Sequence, residues 1–282
     1  MHDSESTIRS AEPEETSVTE VFHRLKSVIP LDQDVLSVTP DTEAVDALQL
    51  LNKTGFSQLP IVQGRQVLGL FSYRSYARAV VKHARATTAN RAFDPLTLLV
   101  EDCVERTEFA RVSDEFNKWF DYIDRHDAIL VGDPDRLLAI VTAMDILRYL
   151  YEVASPFVLI AESELALRAL IRLSVGGDEL VECVKNCLST KYESLPTSLE
   201  EMTFSDYVQI IGDGRNWTHF QPVFGGNRLL IRAKLEHLRD LRNDVFHFKR
   251  EITVQDYEDL AEVRDWMLFK VRAVEARREE NK

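Results

Sequence analysis

The chain has 282 residues, 45% of them hydrophobic, and a formal net charge of −13. That is chain enough for two domains with cores of their own, and the acidic balance excludes a protein that grips long DNA by broad electrostatics, so any nucleic-acid site must be local. No stretch approaches the roughly 18 consecutive apolar residues of a membrane span, and the acidic opening MHDSESTIRSAEPEE lacks the basic and then apolar pattern of a secretory signal, so the expectation is a cytoplasmic protein without membrane contact. The cysteines Cys103, Cys183 and Cys187 are odd in number, which argues against a disulfide framework. Cys183 and Cys187 stand four apart on a predicted helix with no histidine nearby and read as small core residues, so no metal site is expected.

Residues 1–17 hold Glu, Ser, Thr and Pro with almost no large apolar side chains and are predicted to be a disordered acidic tail. Residues 18–153 read as strand, helix, strand, strand, helix, twice over. In the first copy an extended segment at residues 35–39 leads into Pro40, and Asp41 or Thr42 can cap the helix carrying Val45, Leu48 and Leu51. Strands follow at 58–62 and 67–72 around the turn Gln63-Gly64-Arg65, and a helix starts near Tyr73. The second copy places strands at 110–112, 128–131 and 137–142, a helix through Trp119, and a closing helix at 143–151. Ser72 and Thr142 correspond, an internal period of about 70 residues.

The helix at 143–151 is predicted to stop at Ala154-Ser155-Pro156, because proline lacks a donor and restricts its predecessor. The domain boundary is therefore expected there, with 154–282 as the second domain. Its periodicity is helical throughout, with helices through Leu170, around Cys183 and at 204–211. A loop is predicted from Gly212 to Asn227, including Arg215-Asn216-Trp217-Thr218-His219, and helices at 228–248 and 254–274 complete an all-α bundle.

Within residues 228–250 there are seven Lys/Arg against three Asp/Glu, a local +4 in an acidic chain. The same helix bears an apolar stripe, Ile231, Leu235, Leu238, Val245 and Phe248, with Arg242 standing inside it. A guanidinium there keeps its charge and must meet a carboxylate, an anion or an interface. His247 lies five residues on, about 140° round a straight helix, so one protomer cannot close both side chains on one phosphate, whereas two copies across a two-fold axis can.

Two resemblances follow. The stretches VLSVTPDTEAVDALQLLNKTGFSQLPIVQGRQVLGLFS and DAILVGDPDRLLAIVTAMDIL resemble a CBS-domain pair, which implies an α+β tandem (Bateman-type) module at 18–153. In that family a Gly-x-x-Thr/Ser-x-x-Asp turn binds adenosyl ligands. Here it reads Ala139, Thr142 and Asp145 in the second copy, and Gly69, Ser72 and Ser75 in the first, where the ribose-binding aspartate is missing. The resemblance implies an adenine nucleotide or related adenosyl ligand as regulator at Thr142 and Asp145, with Ser72 the weaker counterpart. A strand entering a helix N-terminus does present free amides to an anion, and the same two residues equally fit a plain helix cap.

The segment LRDLRNDVFHF, with PFVLIAESELALRALI and MTFSDYVQII, resembles HEPN ribonucleases and their Arg-x4-6-His motif, which implies an all-α HEPN bundle at 154–282. The implied chemistry is attack of an RNA 2′-hydroxyl on the adjacent phosphate, leaving a cyclic phosphate, with no catalytic cofactor and no metal. His247 would be the proton acceptor, Arg242 would hold the phosphate oxygens and Asn243 would position the phosphate or His247. Glu164 matches an acidic family position. The expected assembly is a homodimer acting on RNA, and the implied role is that of a stress or phage-defence effector. The other reading is a non-catalytic nucleotide-sensing dimer that signals to a partner protein.

Overall fold

The two predicted copies fold as two matching hairpins. The computed structural model describes residues 24–29, 35–86 and 93–280, so the predicted tail at 1–17 lies outside the described residues. The chain divides into two units, Met1–Leu150 and Tyr151–Lys282.

In the first unit, helix α1 (Ala44–Thr54) precedes an antiparallel hairpin of β1 (Gln58–Gln63) and β2 (Gln66–Ser72), and helix α2 (Tyr73–Ala86) follows. The second copy has a short β3 (Phe109–Ala110), helix α3 (Phe120–His126), and the hairpin of β4 (Ala128–Asp133) and β5 (Arg136–Thr142). Gln58 pairs with Ser72 and Ala128 with Thr142, and the ladder slips at Ile61/Val62 in one copy and at Val131/Gly132 in the other. The 70-residue period therefore holds residue by residue, bulge included. Strand β3 runs parallel to β4, while its counterpart in the first copy shrinks to a single bridge between Val38 and Ile61.

Both faces of each hairpin are buried. Ile129 and Val131 face a core with Ile123 and Ile146, whereas Ala128 and Leu130 pack with Val67 and Leu70 of the other hairpin. That double burial explains the near-continuous apolar runs of these strands. The segment before the first copy completes the second: Leu25 is fully buried in the second copy's core, and its amide donates to the Asp114 carbonyl. The expected cap of α1 shifts. Asp41 and Thr42 bond instead to the Thr39 hydroxyl, the N-cap is Glu43, and the Ala44 amide is satisfied by the Leu98 carbonyl.

Helix α4 (Ala143–Ser174) does not stop at Pro156. Proline in a helix leaves the carbonyl four residues back without its donor, and here the Tyr257 hydroxyl donates to that carbonyl, Glu152 O. A tertiary contact thus takes the place of the missing hydrogen bond, and the two units divide after Leu150 rather than at 154.

The second unit adds α5 (Gly177–Leu188), α6 (Phe204–Gly212), α7 (Trp217–Phe224), α8 (Arg228–Phe246) and α9 (Val254–Glu280) around one core. Helix α7 occupies what the sequence marks as loop. It is short, holds Pro222 and is bracketed by glycines, so it rests on the burial of Phe220, Val223 and Phe224 in the core. Asn216 just before it is buried and ties three elements together, donating to Cys183 O and Ile210 O and accepting from Asn186. Cys183 and Cys187 are free thiols. Burial, with nearby acidic groups, pushes them up to about 11 and about 12.

Two helix starts of this unit use one device. Thr203 caps α6 and Asp206 turns back onto the Thr203 amide and hydroxyl at 2.8 and 2.7 Å. Thr253 and Asp256 repeat it before α9 at the same two distances. Each aspartate also holds a cation, Lys191 at 2.6 Å for Asp206 and Arg250 at 2.6 Å for Asp256. The Arg250 guanidinium foremost, with the Thr253 hydroxyl and amide, holds the Asp256 carboxyl well below the usual carboxylate range. Asp206 is also lowered, since the bonds from Lys191, Thr203 and Tyr192 outweigh the opposing effect of burial.

A carboxyl whose pKa is lower in the folded than in the unfolded chain stabilises the fold above its unfolded value, about 4, and loses that contribution as pH falls toward the folded value. The melting temperature should therefore drop as pH is lowered from 5 toward 2. Asp256→Asn should melt lower than wild type at pH 7, and the gap should narrow in acid; parallel melting curves would contradict the assignment.

Candidate functional site

In the first unit, β5 runs directly into α4, which places Thr142 at the helix start and Asp145 in its first turn. The Asp145 carboxylate accepts from the Thr142 amide at 2.9 Å and from its hydroxyl at 2.6 Å, and the Asp145 amide donates back at 3.3 Å. This is the capping device of Thr203 and Thr253 with one difference. Those aspartates have a cation on the carboxylate, while Asp145, half-buried, has no second side-chain partner among the described residues. In the first copy Ser75 takes the aspartate's place: its hydroxyl accepts from the Ser72 amide at 2.9 Å, and both serines are only 5% exposed. Ser72 therefore lies closed beneath its own turn. The sequence did not single out a separate cleft of about 640 Å³ in this unit, lined by Ser37 from the segment before α1 and by Gly64, Arg65, Asp135 and Arg136 from the hairpin tips.

In the second unit, Arg242, Asn243 and His247 fall on the last turn and C-cap of α8. The apolar stripe faces the unit's own core, with Leu235, Leu238, Leu241 and Val245 at most 4% exposed. Arg242 thus stands at the rim of a packed intramolecular face rather than in a free seam, and Phe248 is 66% exposed. Asp240 and Asp244 pair with Arg239 and Arg250, so the partner of Arg242 comes from α4. The Arg242 Nε lies 3.6 Å from Glu164 Oε2, an ionic contact too long for a hydrogen bond, and that nitrogen is buried with no hydrogen-bond acceptor. Arg242 also reaches Asn243 Oδ1 at 3.4 Å and covers the Phe246 ring at 5.0 Å.

Glu164 is half-buried rather than solvated, because its other oxygen accepts from Arg168 at 2.5 Å. Arg168 Nε donates to the Tyr207 hydroxyl at 2.8 Å, which in turn donates to Leu199 O at 2.6 Å. Neither Arg168 nor Tyr207 was singled out by sequence; their signal is tertiary, since they stand 39 residues apart.

His247 is the C-cap of α8 and exposed, and its ring has no partner among the described residues. Asn243 accepts the His247 amide through its backbone carbonyl at 3.1 Å. The cations nearby are mostly engaged: Arg228 with Gly212 O, Arg232 with Glu236, Lys234 with Glu262, Arg239 with Asp240 and Arg250 with Asp256, while His237 meets Asp259. Lys249 donates from its backbone to Asp244 O, and no ion pair of its side chain is found among the described residues. Of the charges along this segment, Lys249, two residues past His247, has no side-chain ion pair among the described residues, and Arg242, five residues before it, has only the long contact with Glu164. No group of three His, Cys, Asp or Glu able to hold a metal occurs among the described residues, and no described helix is long and apolar enough to cross a membrane.

The paired hairpins and their helices make the N-terminal unit a CBS-like α+β fold, and the C-terminal unit is helical. The CBS domain family matches residues 25–82, so the chain carries a CBS domain. The chain is 30% identical over 127 residues to the cystathionine beta-synthase of Dictyostelium discoideum, covering 41% of this chain and 23% of that protein, so it spans under a quarter of that relative's length. Similar solved structures include CBSX2 in complex with AMP, 17% identical with a TM-score of 0.38, covering 46% of this chain and 98% of that one. Another is the CBS domain pair of protein MJ0100 in complex with 5′-methylthioadenosine and S-adenosyl-L-methionine, 18% identical with a TM-score of 0.36, covering 44% and 93%.

Replacing Glu164 by Gln would leave Arg168 and Arg242 facing each other without a shared anion. The melting temperature should fall, consistent with the roughly 1–3 kcal/mol cost of an unmatched, partly buried polar group, and added sulfate should restore part of it. A melting temperature equal to wild type would show that Glu164 does not hold the two guanidiniums.

Proposed function

We propose that the protein is an endoribonuclease of the HEPN type that works as a homodimer and is regulated by an adenine nucleotide bound to its CBS pair. The observation that carries this reading is the end of α8, where Arg242 has a buried, unsatisfied Nε, Lys249 has no side-chain ion pair among the described residues, and the exposed ring of His247 stands between them in the chain without a partner among the described residues.

In the reaction, the 2′-hydroxyl of RNA attacks the adjacent phosphorus and gives its proton to His247. A bond from the 2′-oxygen to phosphorus forms, the bond to the 5′-oxygen breaks, and the departing 5′-oxygen takes a proton from the partner's His247 or from water. The products are a 2′,3′-cyclic phosphate and a 5′-hydroxyl. Arg242 stabilises the charge that grows on the equatorial oxygens, since a guanidinium can offer two donors in one plane. Asn243 steadies that guanidinium and carries the carbonyl that fixes the His247 backbone. On the regulatory side, Thr142 and the unmatched carboxylate of Asp145 supply a hydroxyl for a phosphate and an acceptor for ribose hydroxyls.

One observation favours the second reading, a nucleotide-sensing dimer that does not cut RNA: Arg242 already has a carboxylate neighbour in Glu164. The two readings part at His247→Ala. A proton-transfer group is worth roughly 10²- to 10⁴-fold in rate, so the variant should lose RNA cleavage by that factor with an unchanged melting curve. Equal cleavage by wild type and variant, or none by either with or without AMP, would leave the sensing dimer as the better account.

Asp145→Ala should abolish calorimetric binding of AMP, beyond the roughly 1 kcal/mol of stability lost with a helix cap. Undiminished affinity would move the ligand to another place, the Arg65 and Arg136 cleft being the alternative to test next.

A further inference from the structure

Between Asp46 and Asp94 the chain has no acidic residue. Those 47 residues carry seven Lys/Arg, whereas the rest of the chain sets 27 against 47 Asp/Glu. Four of the seven, Arg74, Arg78, Lys82 and Arg85, stand on helix α2, which holds no carboxylate at all. They collect on its outward side: Ser75 and Ala79 are buried, while Arg78, Lys82 and Arg85 are exposed.

The helix dipole accounts for only part of this row. It favours a cation in the last turn, such as Arg85, and opposes one in the first turn, where Arg74 stands. Arg74 is held there by Glu105 at 3.2 Å and Asp127 at 3.1 Å, and Arg78 reaches the same Glu105 oxygen at 3.1 Å. Asp102 faces His83 at 4.0 Å rather than the outward row. Arg78 is still 65% exposed, and Lys82 and Arg85 have no ion pair among the described residues. Arg74, Arg78 and Lys82 follow at one-turn intervals, about 6 Å apart along the axis. Beside them, at the same spacing, runs a row of Tyr73, Ala77 and Val81, with the Tyr73 ring exposed at its start. Ala77, Val81 and the four cations border an open groove.

We infer that this face of α2 docks a single strand of RNA, with phosphates along the cationic row and a base on the Tyr73 ring. An open row about 12 Å long from Arg74 to Lys82 matches a polyanion, whereas a small anion would reach only one or two of its charges. An acidic protein would need large apolar anchors to bury. Apart from Tyr73 at one end, only Ala77 and Val81 lie along the charges. An aromatic ring beside a line of cations is the combination that sequence-tolerant binding of single strands uses. That the polyanion is RNA rests on the ribonuclease reading, for which α2 supplies a second contact with the substrate, in the unit that does not hold Arg242 and His247.

The probe is an unstructured 2′-O-methyl RNA of about twelve nucleotides, which has no free 2′-hydroxyl and is therefore bound without being cut. Fluorescence anisotropy on the full chain between about 50 and 200 mM salt should show an affinity that falls as salt rises. Lys82→Gln combined with Arg85→Gln should flatten the slope of log affinity against log salt by about 1.4, since each cation counts about 0.7 on a single strand. Tyr73→Ala should weaken binding about 5-fold or more at an unchanged slope, and an unchanged affinity would overturn the part assigned to that ring. The double variant should keep the wild-type melting curve, because both side chains are exposed. If it does not, cross-linking of the same RNA carrying 4-thiouridine decides: label is expected on residues 73–86, and its absence there overturns the inference. No binding by wild type at the lowest salt, or equal slopes for wild type and the double variant, overturns it too. So does poly-glutamate bound as tightly as RNA, which would make an acidic protein the partner. Salt-dependent binding that weakens with Lys82 and Arg85 replaced, in a protein that never cuts unmodified RNA, would sink the ribonuclease reading and leave the docking surface standing.

Discussion

The carboxylate of Glu164 lies between two guanidiniums, and the arrangement of the helical unit's candidate site depends on it. Arg168 takes one oxygen and Arg242 stands 3.6 Å from the other. Tyr207 anchors Arg168 from α6, so three helices contribute to the position of one arginine on α8. Two cations this close repel each other. One shared anion relieves that repulsion and leaves a net positive charge, which Arg242 presents at the rim of the core. The Glu164 carboxylate lies too far from the Arg242 Nε–H for a hydrogen bond, so that buried nitrogen is left without an acceptor.

The capping aspartates show how one local device serves two ends. Thr203 with Asp206 and Thr253 with Asp256 have the same backbone geometry as Thr142 with Asp145, and in the first two a cation closes the carboxylate. These are structural locks, and the lowered carboxyls of Asp206 and Asp256 are their signature. At Asp145 the cation is missing among the described residues. A carboxylate that completes a cap and still has an unused oxygen is the chemical difference between this turn and the other two.

Helix α4 holds opposing demands along its length. Its core face fixes the bundle and Glu164 positions Arg242, while Pro156 would interrupt the helix were it not for the Tyr257 hydroxyl on the Glu152 carbonyl. The exposed heptad from Tyr151 to Leu165 lies on the side these contacts leave open.

The period of 70 residues, the hairpins and their turns, and the start of α2 at Tyr73 were legible in the sequence because they follow from local patterning: apolar runs, turn residues and short-range spacing. So were the helical character of the C-terminal unit and the grouping of Arg242, Asn243 and His247 on one helix end. The stop expected at Pro156 and the loop expected where α7 forms were not, and neither outcome is set by local pattern. Tyr257 supplies the donor that lets α4 continue, Phe220 and Phe224 stabilise α7 by burial, and the bundle core takes up the stripe around Arg242. Sequence alone determined which residues alternate, turn and carry charge, since those are properties of neighbours along the chain. Only tertiary structure decided which apolar face is buried and which carboxylate meets which cation, because both are settled by the free energy of contacts between segments that the chain's order does not place together.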